Sequence, residues 1–105
     1  MEIHFEDRDD LPPYEVTVRF GAPLHCRTES IRVQRGKSTT IKAVKGDCSW
    51  LGELLQMLLG ESGVISVTFQ RYLMKVVFDT EKTTYQEVEQ SILRALADVG
   101  IVQVA

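Results

Sequence analysis

The sequence predicts an α+β fold in which two helices pack on one face of a mainly antiparallel sheet. Three observations lead to it. Several short segments alternate apolar and polar residues, two longer segments repeat apolar residues at helical spacing, and two of the alternating segments are separated by a very short turn. In chain order these elements give a βαββαβ core with an N-terminal strand extension. The 105 residues are expected to form a single domain, 1–105.

The first half of the chain is expected to supply strands. Residues 2–6 alternate, and residues 14–20 (YEVTVRF) do so most regularly, after a loop that contains two prolines. The apolar face of this second strand comprises Tyr14, Val16, Val18 and Phe20. The segments IRVQ and STTIKAV flank Gly36, which permits a tight turn, so they are predicted to form a β-hairpin.

Two helices are expected in the second half. The first begins near Asp47 and Ser49, whose side-chain oxygens can accept from free backbone N–H groups, and stops at Gly60. Its apolar stripe comprises Trp50, Leu51, Leu54, Leu55, Leu58 and Leu59. The second begins at Thr84, which fits a capping box with Glu87, and stops at Gly100.

Residues 63–79 (GVISVTFQRYLMKVVFD) are predicted to form an antiparallel hairpin between the helices, with Gln70 and Arg71 in its turn. One face of the hairpin is expected to be apolar. It comprises Ile65, Val67, Phe69, Tyr72, Met74, Val76 and Phe78. The opposite face is expected to be exposed and polar, with Ser66, Thr68 and Lys75, and the final residues IVQVA are predicted to form an edge strand.

Composition limits the classes of function. The apolar runs are far shorter than the roughly 20 residues that cross a bilayer, so no membrane partner is expected. Met1 leads into EIHFED without the basic start or apolar stretch of a signal peptide, so a cytoplasmic location is predicted. A net charge of −3 argues against binding of nucleic acid by the whole molecule. The oligomeric state is not indicated.

Charge is unevenly distributed along the chain. Residues 1–15 carry six acidic side chains and one basic, whereas residues 27–45 carry six basic and one acidic. This asymmetry indicates either a surface for a partner or two segments that face each other. The candidate partner-binding residues of the basic hairpin are Arg32, Arg35, Lys37, Lys42 and Lys45. No aromatic residue lies among residues 27–45 to stack on bases, and a solvated strand face is the alternative.

The thiols and one histidine are the candidate metal ligands. His25 adjoins Cys26, and Cys48 lies beyond the predicted hairpin. Two thiolates and an imidazole suit zinc, copper or iron, although a closed zinc site usually needs four ligands and no C-x-x-C is present. The alternative is a pair of reduced, buried cysteines beside a loop histidine.

No catalytic motif is found. RGKST resembles the end of a phosphate-binding loop, but Ile31 occupies the position of the required glycine and the following residues favour a strand. No nucleophile, pair of carboxylates or cofactor loop can be named, and no ligand-sized cleft with titratable groups is predicted. The sequence therefore predicts a protein that is not an enzyme, with no catalytic residues.

The stretch SWLGELLQMLLGESGVISVTFQRYLMKVVFD, together with IHFEDRDDLPPYEVTVRF, resembles the N-terminal domain of Nfu/NifU-type iron–sulfur assembly scaffolds. The matching positions are Ser49, Leu51, Leu54, Leu55, Gly63, Val64, Val67 and Leu73 to Val76. The chain departs from that family in having DDLPPY where the family has an Asn-Pro-Asn element, and a longer LLGESG junction. It also lacks the scaffold domain whose C-x-x-C holds the cluster. The resemblance implies an accessory domain that binds a partner.

A second resemblance is to heavy-metal-associated domains, small ferredoxin-like modules that hold Cu(I) between the two thiolates of a C-x-x-C. It is carried by VKGDCSW, GVISV, VVFD and YQEVEQSILRALADVGI. Cys48 lies near the position of one thiolate, but Leu51 occupies that of the other. This resemblance implies a degenerate copy, or a site that another subunit completes.

Together the residues and the resemblances predict a non-enzymatic accessory or protein-interaction domain in iron–sulfur cluster assembly or metal handling. The expected partner is a protein. The alternative is a domain that binds metal directly through Cys48 with Cys26 and His25. No resident cofactor is identified; the resemblances imply transient contact with iron, an iron–sulfur cluster or another transition metal.

Overall fold

The computed structural model of the chain describes residues 2–22, 31–34 and 49–101. Five strands, two α-helices and one short 3-10 helix (Arg8–Asp10) lie in these ranges. The strands are β1 (Ile3–Phe5), β2 (Glu15–Phe20), β3 (Ile31–Gln34), β4 (Val64–Gln70) and β5 (Leu73–Phe78). The helices are α1 (Ser49–Gly60) and α2 (Tyr85–Asp98).

The strands form one antiparallel sheet in the order β1-β2-β5-β4-β3. Because β5 is antiparallel to both of its neighbours, β2 and β4 run in the same direction on either side of it, as in the split βαβ unit of ferredoxin-like folds. The predicted α+β, ferredoxin-like class is therefore confirmed, with β1 as the N-terminal extension beside β2.

Two predicted elements fall wholly or partly outside the described residues. The second arm of the hairpin, STTIKAV, lies outside them, whereas its first arm is β3, which pairs with β4. Of the predicted last strand IVQVA, only Ile101 is described, and it is not in a strand.

The core lies between the helices and one face of the sheet. Helix α1 contacts β4 and α2, and α2 contacts β2. Fully buried side chains from both layers form one cluster: Leu54, Leu55, Leu58, Ile92 and Leu96 from the helices, and Val16, Val18, Val67, Phe69, Met74 and Val76 from the sheet. The predicted stripe of α1 and the buried face of α2 thus meet the predicted apolar face of the hairpin.

The second helix has defined ends. The hydroxyl of Thr84 accepts from the backbone N–H of Glu87 at 3.3 Å, as predicted. The Glu87 carboxylate accepts from the hydroxyl of Thr83 at 2.9 Å instead of returning to the Thr84 backbone, so only half of the predicted capping box forms. At the other end Gly100 has a φ of +88°, and the N–H of Ile101 donates to the carbonyl of Leu96 at 2.8 Å in a Schellman motif.

The hairpin β4–β5 departs from the predicted register in two places. Gln70 pairs with Leu73, so the turn is Arg71-Tyr72 and not Gln70-Arg71. A β-bulge between Val64 and Ser66 makes Ile65 the extra residue, so Val64 takes its place in the core.

The sheet face that carries no described helix is less exposed than predicted. Ser66 on that face is only 2% exposed, and Thr17 of β2 is also buried. Thr68 and Lys75 are partly buried. Within the described ranges, no helix is long and apolar enough to cross a membrane.

Candidate functional site

Most of the residues predicted to form a site lie outside the described residues. These are His25, Cys26, Arg35, Lys37, Lys42, Lys45 and Cys48. Arg32 is placed in β3, opposite Thr68 of β4. Among residues 2–22, 31–34 and 49–101, no group of three or more His, Cys, Asp or Glu side chains is arranged to hold a metal ion.

A groove that the sequence did not indicate runs along α2. Its larger part, about 460 Å³, lies between the α1–β4 junction and the first half of α2. A second part of about 380 Å³ continues between the end of α1 and the second half of α2, and the two share Glu61, Ser91 and Arg94. The expectation of no ligand-sized cleft with titratable groups is therefore wrong, because residues distant in sequence assemble this groove only in the fold.

The chemistry of the groove is mixed. Its described lining carries the acids Glu61, Glu87 and Asp98 and the bases Lys82 and Arg94. The Glu87 carboxylate already accepts from Thr83, and Arg94 Nη2 donates to the Ser91 hydroxyl at 3.5 Å. The described lining includes no histidine or cysteine, so its hydroxyl groups have no adjacent imidazole to activate them.

A second surface lies at one end of the sheet, where three connections meet. We call it the loop end and define it as residues 6–15, 61–65 and 79–84. Two backbone hydrogen bonds join its parts: the Phe78 N–H donates to the carbonyl of Tyr14 at 2.9 Å, and the Asp79 N–H donates to that of Gly63 at 2.7 Å. The loop end contains eight acidic side chains and two basic ones.

Two large apolar side chains at the loop end face solvent. Tyr14 is 49% exposed and Ile65 is 45% exposed. The alternating pattern had grouped both with core residues. Tyr14 is exposed because β2 begins only at Glu15, after the turn that follows Pro12, and Ile65 is exposed because it is the extra residue of the bulge. The proline pair was the one sequence signal for this exposure; the bulge had none.

Backbone hydrogen bonds and ion pairs hold the acidic side of the loop end in place. The Glu6 N–H donates to the Thr17 carbonyl at 2.9 Å, and the Glu6 carboxylate is paired with Arg19. The hydroxyl of Tyr85, at the start of α2, donates to the Glu6 carbonyl at 3.4 Å. The β1–β2 connection is thus attached both to the sheet and to α2.

Comparisons with known proteins support the fold. No family model and no curated protein matches the chain. The crystal structure of protein SAV1430 from Staphylococcus aureus is similar, with a TM-score of 0.59 over 91% of this chain and 99% of that chain. The two sequences are 9% identical, so the likeness shows a shared fold alone.

Proposed function

We propose that this chain is a non-enzymatic accessory domain that binds a protein partner in iron–sulfur cluster assembly or metal handling. The observation that carries the proposal is the exposure of Tyr14 and Ile65 together at the loop end. Tyrosine is enriched among the residues that dominate binding at protein interfaces. The Tyr14 carbonyl accepts from the Phe78 N–H and Ile65 lies within β4, so the backbone at both residues is ordered before binding, which lowers the entropic cost of association.

The bulge strengthens this interpretation. In a regular β4, Ile65 would face the core. As the extra residue of the bulge it is exposed instead, and Val64 fills the core position. Bulges are common where a strand must redirect a side chain for function. An isoleucine redirected to solvent is better explained by a partner than by the packing of the domain itself.

The iron–sulfur context rests on the resemblance to Nfu/NifU N-terminal domains. The stretch that carries it folds as α1, a glycine–valine junction and the β4–β5 hairpin, in the order that the resemblance implies. An enzymatic function has less support, because the described lining of the groove includes no histidine or cysteine, and the Thr83 hydroxyl that donates to the Glu87 carboxylate lies at the exposed start of α2. The second candidate, direct metal binding by Cys48 with Cys26 and His25, rests on the adjacency of His25 and Cys26 in the sequence.

Metal analysis separates the two candidates. We expect the protein, purified without added metal and with its thiols kept reduced, to contain far less than one equivalent of iron, copper or zinc. The Cys48→Ala variant should give the same value. One equivalent of metal in the native chain that is lost in Cys48→Ala would contradict the accessory function and favour direct binding.

A further inference from the structure

We infer that the loop end binds a basic surface of a protein partner, with Tyr14 and Ile65 as apolar contacts and the surrounding carboxylates as the charged rim. This inference rests on the proposed function and names the chemistry of the partner. It combines two independent observations, the exposed apolar side chains and the local excess of negative charge.

The charge excess is a property of the fold. The loop end carries eight acidic and two basic residues, whereas the rest of the chain carries seven acidic and ten basic. In the sequence, only the acidic residues of segment 6–15 are close to one another. The backbone hydrogen bonds from Phe78 and Asp79 bring the other two parts, 61–65 and 79–84, beside it.

Several of these carboxylates are already engaged. Glu6 is paired with Arg19, and Glu15 lies 4.0 Å from the ammonium of Lys75. Asp7 accepts from the N–H of Asp9 at 3.0 Å, and Asp79 accepts from the N–H of Glu81 at 2.9 Å. The contacts of Asp7 and Asp79 with backbone N–H groups help to fix the conformation of their loops.

The carboxylates that remain available are exposed. The side chains of Asp9, Asp10 and Glu81 form no hydrogen bond or ion pair with any other part of the described chain. Lysine or arginine side chains of a partner could therefore pair with them without displacing a contact between described side chains. Such charge pairs at a rim guide the choice of partner and speed association more than they add affinity.

The two apolar contacts are close enough for a single partner segment. Tyr14 lies beside Phe78 of β5, and Val64, the neighbour of Ile65, lies on the other side of Phe78. Adjacent strands are about 4.8 Å apart, so the backbones at Tyr14 and Val64 lie roughly 10 Å apart across β5. About three residues of extended chain span that distance. Central apolar contacts with a charged rim are the usual arrangement of a protein interface.

Two other occupants are possible outcomes of a test. One is the chain's own basic segment, residues 27–45, most of which lies outside the described residues. The other is the same segment of a second copy. Either segment would cover the loop end in place of a partner, and the experiment below distinguishes each of them from a partner.

The test is an NMR titration of the isotopically labelled full chain with a short basic peptide, in which lysine and serine residues flank two central leucines. We expect this peptide to shift the amide signals of residues 6–15, 61–65 and 79–84. A control peptide in which glutamate replaces every lysine should cause no shift. Tyr14→Ala and the double variant Asp9→Asn/Asp10→Asn should each weaken binding about fivefold or more. Tyr72→Ala is the matched control, because Tyr72 is equally exposed but lies at the other end of the sheet, and it should bind normally.

Four results would overturn the inference. Three of them are no binding at about 1 mM peptide, equal binding by the native chain and Tyr14→Ala, and equal shifts with the glutamate peptide. A fourth is a loop end occupied by basic residues of this protein. In that case the peptide would cause no shifts in the native chain. If the segment is the chain's own, the amide signals of residues 6–15 would shift when Arg35, Lys37, Lys42 and Lys45 are changed to glutamine. If it belongs to a second copy, the same signals would shift on dilution. Metal that is lost in Cys48→Ala would contradict the proposed accessory function and leave the peptide results intact, so the two failures are distinguishable.

Discussion

Replacing Leu58 by alanine is expected to lower the free energy of unfolding by about 3 kcal/mol, within the range of roughly 2–5 kcal/mol for a buried leucine. Leu58 is fully buried in the cluster between α1, α2 and the sheet. Shortening its isobutyl group to a methyl loses the burial of apolar surface and leaves a cavity that the surrounding core closes only in part. Chemical denaturation followed by far-UV circular dichroism measures the change.

Leu59 is the matched control for that substitution. It is the next residue of the same helix and belongs to the same predicted stripe, but it is only partly buried at the edge of the core. Leu59→Ala should therefore lower the free energy of unfolding by about 1 kcal/mol. Equal losses for the two variants would show that α1 does not present the face to the sheet that the structure assigns.

Replacing Gly63 by alanine is expected to lower the free energy of unfolding by about 3 kcal/mol, for two reasons that add. Gly63 has a φ of +89°, which costs an L-residue roughly 1 kcal/mol or more. A Cβ at this position would lie 2.7 Å from Cγ2 of Thr83, and such overpacking costs about 1–3 kcal/mol. The residue also joins the loops, since its carbonyl accepts from Asp79.

Two other glycines separate these causes. Gly100 has a φ of +88° but nothing within 4 Å of an added Cβ, so Gly100→Ala should show the conformational cost alone, about 1 kcal/mol. Gly60 has neither a positive φ nor a close neighbour, and alanine there should be neutral or stabilise α1 by up to about 1 kcal/mol. If Gly63→Ala lost no more than Gly100→Ala, Thr83 would have to move aside freely, contrary to the packing described.

The helices and most strands could be predicted because the spacing of their apolar residues follows the side of each element that is buried. The apolar stripe of α1 and the alternation of β2 and β5 predicted that Leu54, Val76 and their neighbours are buried, and they are. The register of the hairpin could not be predicted. Its turn, Arg71-Tyr72, contains no glycine or asparagine to mark it, and an alternating pattern cannot show which of two adjacent apolar residues, Val64 or Ile65, is the extra one.

The loop end and the groove could be predicted from the sequence only in part. The acidic excess of the first fifteen residues was visible, but its extension by Glu61, Asp79 and Glu81 depends on strand order. The groove has the same origin, since Glu61 and Arg94 are distant in sequence and line one groove only because α1 ends beside α2. The thiols and the basic hairpin, which the sequence favoured as sites, remain predictions.

The most direct measurement is a titration of the isotopically labelled protein with a purified Nfu-type scaffold domain that carries the cluster-holding C-x-x-C. We expect saturable binding that shifts the amide signals of residues 6–15, 61–65 and 79–84 and is weakened by Tyr14→Ala but not by Tyr72→Ala. Absence of binding to both the cluster-loaded and the empty scaffold domain, or shifts confined to the groove along residues 86–98, would contradict an accessory domain that recognises its partner through the loop end.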